Sequence, residues 1–161
     1  MEAGSLVIEV GVDEAIARAS QLAERRRALL GIAGCPGAGK STLSAAILAR
    51  VSSSVVVPMD GFHMLNDDLI RLGRRNRKGA PDTFDAEGYV RMLRRVRDQA
   101  ADELVTVPRY DRAASAPVPD AITVDPTTPL VITEGNYLLV DTPPWDAVRP
   151  VLDEVWYVDV D

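Results

Sequence analysis

The sequence predicts an α/β protein in which a parallel sheet is covered by helices on both faces. Segments with strand character alternate along the chain with segments of helical periodicity, as in β-α-β units. Several predicted strands, such as 28–33 and 129–133, are continuous apolar runs. Such runs are typical of strands that are buried on both faces of a sheet. A glycine-rich turn joins the first of these runs to a helix, which favours a three-layer arrangement.

The amino-terminal half supplies two helices and two strands. A helix is predicted over 13–26 because Asp13 can cap it and arginines suit its last turn. The strand at 28–33 is followed, after the glycine-rich turn, by a helix that includes 42–49. The apolar run 55–59 is predicted to be the next strand.

The carboxyl-terminal half continues the alternation. Residues 82–85 supply caps for a helix whose apolar side chains recur at helical spacing. The elements predicted after it are a strand at 104–108, a Pro- and Ala-rich loop at 113–120, a strand at 129–133, a short helix at 145–152 and a strand at 155–158.

Length and composition predict a single domain over residues 1–161, with an amino-terminal helical region at 1–27. Hydrophobic residues make up 47% of the chain, and the single cysteine leaves no internal disulfide, which fits a reducing cytoplasm. The net charge of −6 argues against nucleic-acid binding. No apolar stretch approaches the length that spans a membrane, and the oligomeric state is left open.

The glycine-rich turn is the most informative motif. Residues 34–41 read G-C-P-G-A-G-K-S and match the phosphate-binding pattern G-x-x-x-x-G-K-[ST], so the predicted fold is the three-layer P-loop NTPase fold. Glycines let successive backbone N–H groups face phosphate oxygens, and the helix that starts at Lys40 adds its positive end. Lys40 suits the β- and γ-phosphates, and the Ser41 hydroxyl suits Mg²⁺. The predicted nucleotide-binding residues are Gly34, Gly37, Ala38, Gly39, Lys40, Ser41 and Thr42.

Two carboxylates follow other predicted strands. Asp60 comes after the run 55–59, where it can accept a proton from a substrate hydroxyl that attacks a γ-phosphate. Glu134 comes after 129–133, where it can hold Mg²⁺ directly or through water. The alternative for both is a turn or cap role. Because ligands bind at the carboxyl ends of parallel strands, these groups are expected near the P-loop.

Five basic side chains crowd residues 71–78, against the acidic balance of the chain. Two interpretations stay open: a solvated loop, or an anion-attracting flap beside the nucleotide.

The chain resembles the P-loop kinases that include uridine kinase, type I pantothenate kinase and phosphoribulokinase, and most closely the branch described as fructose-transport-system or nucleoside kinases. The matching segments, in family order, are 34–41, 59–63 (M-D-G-F-H), 81–85 (P-D-T-F-D), 107–111 (V-P-R-Y-D) and 132–139 (I-T-E-G-N-Y-L-L). The resemblance implies an ATP-dependent, Mg²⁺-assisted kinase with Asp60 as the base and Glu134 at the metal. It also implies that Tyr110 lies near the acceptor substrate.

The acceptor itself is left open among sugars, nucleosides and pantothenate-like molecules. Uridine kinases carry a histidine and an arginine shortly after their Tyr-Asp pair, whereas residues 112–116 here read R-A-A-S-A. Arg109 and Arg112 suit a carboxylate or phosphate of the substrate, or are solvated loop arginines. His63 either contacts the substrate or packs in the fold.

The resembling kinases continue beyond the last predicted strand into a lid helix with arginines and an adenine-contacting segment. We therefore expect residues 1–161 to lack part of a longer kinase. A nucleotide-binding regulatory module and an NTP hydrolase without a small-molecule acceptor are the alternatives.

Overall fold

A computed structural model describes residues 8–160 and contains two sheets. The strands are β1 (Ala28–Ala33), β2 (Ser54–Val56), β3 (Val105–Asp111), β4 (Ala116–Val124), β5 (Leu130–Gly135) and β6 (Glu154–Tyr157). The larger sheet has four parallel strands in the order β2-β5-β1-β6, and the smaller is the antiparallel β3–β4 hairpin. The helices are α1 (Val12–Leu22), α2 (Lys40–Arg50), α3 (Asn66–Arg71) and α4 (Ala86–Arg97).

Alternate residues of β1 and β5 face two different cores, so the parallel sheet is covered on both sides. Leu29 and Val131 pack among Tyr89, Leu93 and other residues on the α4 and hairpin side. Leu30 and Ile132 lie in the second core, with residues of α1 and α2. The predicted three-layer α/β fold is confirmed.

The first helix begins and ends earlier than the predicted 13–26. Gly11, not Asp13, is the capping residue, and the Glu14 carboxylate accepts from its N–H at 3.1 Å. The helix ends at Leu22, its last buried residue. Beyond it Arg27 donates to the carbonyl oxygens of Val96, at 2.7 Å, and Thr128, at 2.8 Å, so it ties the end of α4 to the start of β5 instead of closing α1.

The segment predicted as a loop at 113–120 is largely a strand. β4 pairs with β3 from Val105↔Val124 to Asp111↔Ala116, which also extends β3 beyond the predicted 104–108. Pro117 and Pro119 misled the prediction, since proline cannot donate to a ladder. An edge strand tolerates it because one side of the strand has no neighbour.

Two further elements differ from their predicted form. The strand predicted over 55–59 ends at Val56, because Pro58 offers no N–H to continue the ladder, and a 3-10 helix (Met59–Phe62) follows. The predicted helix over 145–152 is two 3-10 turns, Trp145–Ala147 and Arg149–Val151. Proline at position 150 disfavours a continuous α-helix there.

None of the helices in the described part of the chain has the length and apolar character needed to traverse a bilayer.

Candidate active site

The P-loop turns tightly from the end of β1 into α2. Gly39 is the residue before the helix and has a φ of 96°, a conformation that favours glycine. No side chain caps α2, so the N–H groups of its first turn are left for an outside acceptor. Of the other predicted nucleotide-binding residues, Ala38 is buried, whereas Gly37 in the loop and Thr42 in the first turn of α2 are exposed.

The Lys40 side chain folds across this loop. Its Nζ donates to the carbonyl oxygens of Gly34, at 3.0 Å, and Cys35, at 2.8 Å. It also donates to Asn136 Oδ1 at 2.8 Å. The P-loop lysine is therefore held at the carboxyl end of β5 as well as at β1.

Glu134 lies against the start of α2. Its two carboxylate oxygens accept from Ser41 Oγ at 2.8 Å and from Ser44 Oγ at 2.6 Å. This meeting follows from strand register, because Glu134 lies beside Ile32 in the β1–β5 ladder, just before the P-loop. A hydroxyl and a carboxylate in contact are the hard oxygen ligands that Mg²⁺ prefers, so Ser41 and Glu134 fit a magnesium site.

Asp60 lies in the 3-10 helix that follows β2, two strands away from the P-loop strand and not directly beside it. Its carboxylate has no hydrogen-bond partner among residues 8–160 and is half-buried. Burial and the negative charge of Asp60 together raise the pKa of Tyr137, two residues beyond β5's end. The Asp60 charge is therefore felt by the segment that follows Glu134.

The backbone around Asp60 packs closely against the β3–β4 hairpin. A Cβ at Gly61 would overlap the Pro108 carbonyl, so only glycine allows this approach. The next residues are pinned from the other side: the Asp85 N–H donates to the Phe62 carbonyl at 2.8 Å and the Met64 N–H donates to Thr83 at 3.0 Å. Asp60 is thus held between the hairpin and the start of α4.

Aromatic stacking brings two of the predicted substrate residues together. The His63 ring lies between Phe84, with centroids 4.2 Å apart, and Tyr110, at 4.3 Å. His63 Nδ1 lies 2.7 Å from the Asp60 carbonyl oxygen, which can only accept, so Nδ1 carries the proton. His63 therefore packs in the fold, as one of its two interpretations predicted, and it lies next to Asp60.

Arg109 and Arg112 are not among the side chains of this stack. Arg109 and Tyr110 are consecutive in β3, so their side chains point to opposite faces of the hairpin. Arg112 is exposed in the hairpin turn. A substrate contact by either arginine stays a prediction.

The basic segment 71–78 is largely engaged within the protein. Arg74 and Arg77 both lie beside Asp82, and the Arg77 pair holds the pKa of that carboxyl below its usual range. Lys78 Nζ donates to Asn66 Oδ1 at 2.8 Å and to the Ser115 carbonyl at 2.6 Å. These contacts tie the segment to α3 and to the hairpin turn, while Arg71, Arg75 and Arg77 are exposed to solvent, so both interpretations stay open.

A cavity of about 590 Å³ opens beside the aromatic stack, along α3. Three of the seven residues that line it are apolar, and the other four are charged or polar. Its lining residues are His63, Met64, Leu65, Asp68, Arg71, Leu72 and Asp85.

Sequence reasoning missed three side chains at the site. Ser44 is three residues after Ser41 and so shares its helix face, a spacing that could have indicated it. Asn136 and Tyr137 follow Glu134 directly, but nothing local shows that they reach Lys40 and the Gly79 carbonyl, at 2.8 Å and 2.5 Å.

The chain is similar in sequence and in fold to several known proteins. The crystal structure of a "putative fructose transport system kinase" from Silicibacter sp. TM1040 superposes with a TM-score of 0.81 and 36% identity, covering 95% of this chain and 76% of that one. "Putative uridine kinase C227.14" of Schizosaccharomyces pombe is 39% identical over 161 aligned residues, which are 92% of this chain and 68% of that protein. A pantothenate kinase of Allorhizobium ampelinum is 31% identical over 83% of this chain and 43% of its own length.

The chain spans between about two-fifths and about two-thirds of these curated relatives. The profile of the Phosphoribulokinase / Uridine kinase family matches residues 29–161, which is most of the chain and contains the P-loop, Asp60 and Glu134. The chain therefore belongs to the phosphoribulokinase/uridine kinase family.

Proposed function

We propose that this chain carries the phosphoryl-transfer site of an ATP-dependent kinase that phosphorylates a hydroxyl group of a small molecule. The observation that supports it best is the convergence of three groups at the carboxyl ends of parallel strands. These are the P-loop with Lys40 after β1, Glu134 at the end of β5 and Asp60 after β2. Phosphoryl transfer requires a phosphate cradle, charge neutralisation and a positioned nucleophile, and these groups match the three needs.

On the nucleotide side, the uncapped start of α2 and the Lys40 ammonium would bind the phosphate oxygens. Ser41 and Glu134 would hold Mg²⁺, which neutralises charge on the phosphates when bound. Ser44 would keep the Glu134 carboxylate oriented towards α2 through the second oxygen.

On the acceptor side, Asp60 would take the proton of the attacking hydroxyl. Its carboxylate is suited to this role because no described side chain or backbone group donates to it, so its oxygens are available to a substrate. The stacked rings of His63 and Tyr110 would form a wall beside the bound acceptor.

The names of the relatives favour a hydroxyl-bearing metabolite, since they include a uridine kinase and a pantothenate kinase. Arg109 and Arg112 would select a carboxylate or phosphate on the acceptor if they turn towards it. Sugars, nucleosides and pantothenate-like molecules all present a hydroxyl that Asp60 can deprotonate.

The test is ADP release from Mg-ATP across a panel of sugars, sugar phosphates, nucleosides, pantothenate and D-glycerate. The panel is run on residues 1–161 and on a longer protein that carries the lid region of the relatives. ADP release that depends on one acceptor class supports the proposal. Equal ADP release with no acceptor would identify a hydrolase, and ATP binding without release would identify a regulatory module.

A further inference from the structure

Every proton of the Lys40 ammonium has an acceptor in this structure. Two acceptors are backbone carbonyls of the P-loop, those of Gly34 and Cys35, and the third is Asn136 Oδ1 at 2.8 Å. An ammonium group has three N–H donors, so these contacts use all three, and a phosphate oxygen would take the place of one of these acceptors. Asn136 is the one side chain in this set.

The place of Asn136 is fixed by the end of β5. It follows Gly135, where a Cβ would lie 2.6 Å from Met59, so the chain leaves the strand in a tightly packed path. The β1–β5 register sets that strand end beside the start of the P-loop. The amide therefore approaches Lys40 from the side of the loop on which Glu134 binds Ser41.

All three acceptors of Lys40 are neutral, so its positive charge is not cancelled. A carboxylate in the place of Asn136 would compete with phosphate for the same ammonium, whereas an amide directs the side chain without neutralising it. A lysine side chain has four rotatable bonds and loses much rotamer freedom when it is fixed. A neutral acceptor that fixes it in advance lowers that loss on binding.

We propose that Asn136 is a positioning residue that aligns the Lys40 ammonium across the P-loop for the phosphates of the nucleotide. The proposal rests on the nucleotide-binding role given above for Lys40. Asn136 belongs to neither the P-loop motif nor the predicted metal ligands, and it acts through Lys40.

The first experiment measures ATP affinity by calorimetry in EDTA, where neither Mg²⁺ nor turnover contributes. Asn136→Ala should weaken ATP binding about tenfold, the size expected for one hydrogen bond to a charged group. Asn136→Asp should weaken it further, because the new carboxylate pairs with Lys40 and repels phosphate. Asn66→Asp is the matched control, since Asn66 Oδ1 accepts from Lys78 at the same 2.8 Å. Its ATP affinity should equal that of the wild type.

The second experiment separates positioning from a merely structural role. In a Lys40→Met background, Asn136→Ala should change ATP affinity less than twofold, measured from the thermal shift over a range of ATP concentrations. A tenfold loss in that background would assign Asn136 to the shape of the turn and overturn the proposal. Wild-type affinity in both Asn136 variants would also overturn it. If the wild-type chain itself bound no ATP, the proposed nucleotide site would fail instead.

Discussion

The P-loop side of the site and the Asp60 side are built differently. On the P-loop side, Lys40 and Glu134 each have every charged atom engaged by hydrogen bonds, and the partners come from the P-loop, the residue after β5 and α2. On the Asp60 side, stacked rings and backbone bridges from three separate segments hold the chain, while the carboxylate itself is left unpaired among the described residues. A phosphate cradle benefits from fixed donors, whereas a base needs an acceptor atom that the protein has not already used.

The largest expected effect comes from replacing Asp60, whose carboxylate is unpaired among the described residues. Asp60→Asn should lower kcat about 10²- to 10⁴-fold, the usual contribution of a general base, while ATP affinity stays unchanged. Initial rates and calorimetry on the same preparation measure both quantities. Asp67→Asn, an exposed aspartate at the start of α3, is the control and should behave as wild type. A fall in ATP affinity for Asp60→Asn would mean that the two sides are not separate.

The second-largest expected effect tests whether Glu134, on the P-loop side, is a Mg²⁺ ligand. Glu134→Gln should raise the Mg²⁺ concentration needed for half-maximal rate about 10- to 100-fold, because the site loses a charged oxygen ligand. A Mg²⁺ titration at fixed ATP measures it. Glu87→Gln changes an exposed carboxylate 3.9 Å from Arg91 and should leave the titration unaltered. An unchanged Mg²⁺ requirement in Glu134→Gln would remove this residue from the metal site.

A buried hydrogen-bond chain joins the two sides and gives the third prediction. Thr133 Oγ1 donates to the Val57 carbonyl at 2.7 Å, so the Tyr89 hydroxyl must donate to Thr133, at 2.6 Å. Tyr89 is fully buried, and burial raises its pKa. Tyr89→Phe should lower the free energy of unfolding by about 1–1.5 kcal/mol in denaturant titrations, because one buried hydrogen bond is lost.

The exposed hydroxyl of Tyr157 provides the comparison for that variant. Tyr157→Phe should leave stability unchanged. Equal stability of Tyr89→Phe and the wild type would show that the hydrogen bond from Tyr89 to Thr133 adds nothing to stability.

The smallest expected effect comes from replacing Asp82, which forms an ion pair with Arg77 of the basic segment 71–78. The hydrogen bond from Arg77 lowers the pKa of Asp82 below its usual 3.8. A lowered folded-state pKa adds stability above the unfolded pKa, and that stability is lost as the pH falls through the folded pKa. Asp82→Asn should therefore reduce Tm slightly at about pH 7, and this difference should disappear once the pH falls below the folded-state pKa of Asp82. Asp102→Asn should show no such pH-dependent difference, and a deficit for Asp82→Asn that persists in acid would contradict the ion-pair explanation.

Local pattern was a good guide to the P-loop side and a poorer one to the Asp60 side. The motif 34–41 and the apolar strands were predicted because phosphate binding and burial impose strict residue types at fixed spacing. β4 was missed because its two prolines predict a turn, and only pairing with β3 makes the segment a strand. The arginines at 25–27 were assigned to the end of α1, but Arg27 instead binds backbone carbonyls of distant segments.

The sequence by itself determined the three-layer fold, the P-loop and the candidate roles of Lys40, Ser41, Asp60 and Glu134, because each depends on residue types close together in the chain. The tertiary structure alone decided which strands are neighbours. That choice set Glu134 against Ser41 and Ser44, brought Asn136 to Lys40, and packed His63 between Phe84 and Tyr110. The physical reason is that such contacts join residues that lie up to about a hundred positions apart, and strand register, rather than local propensity, fixes them.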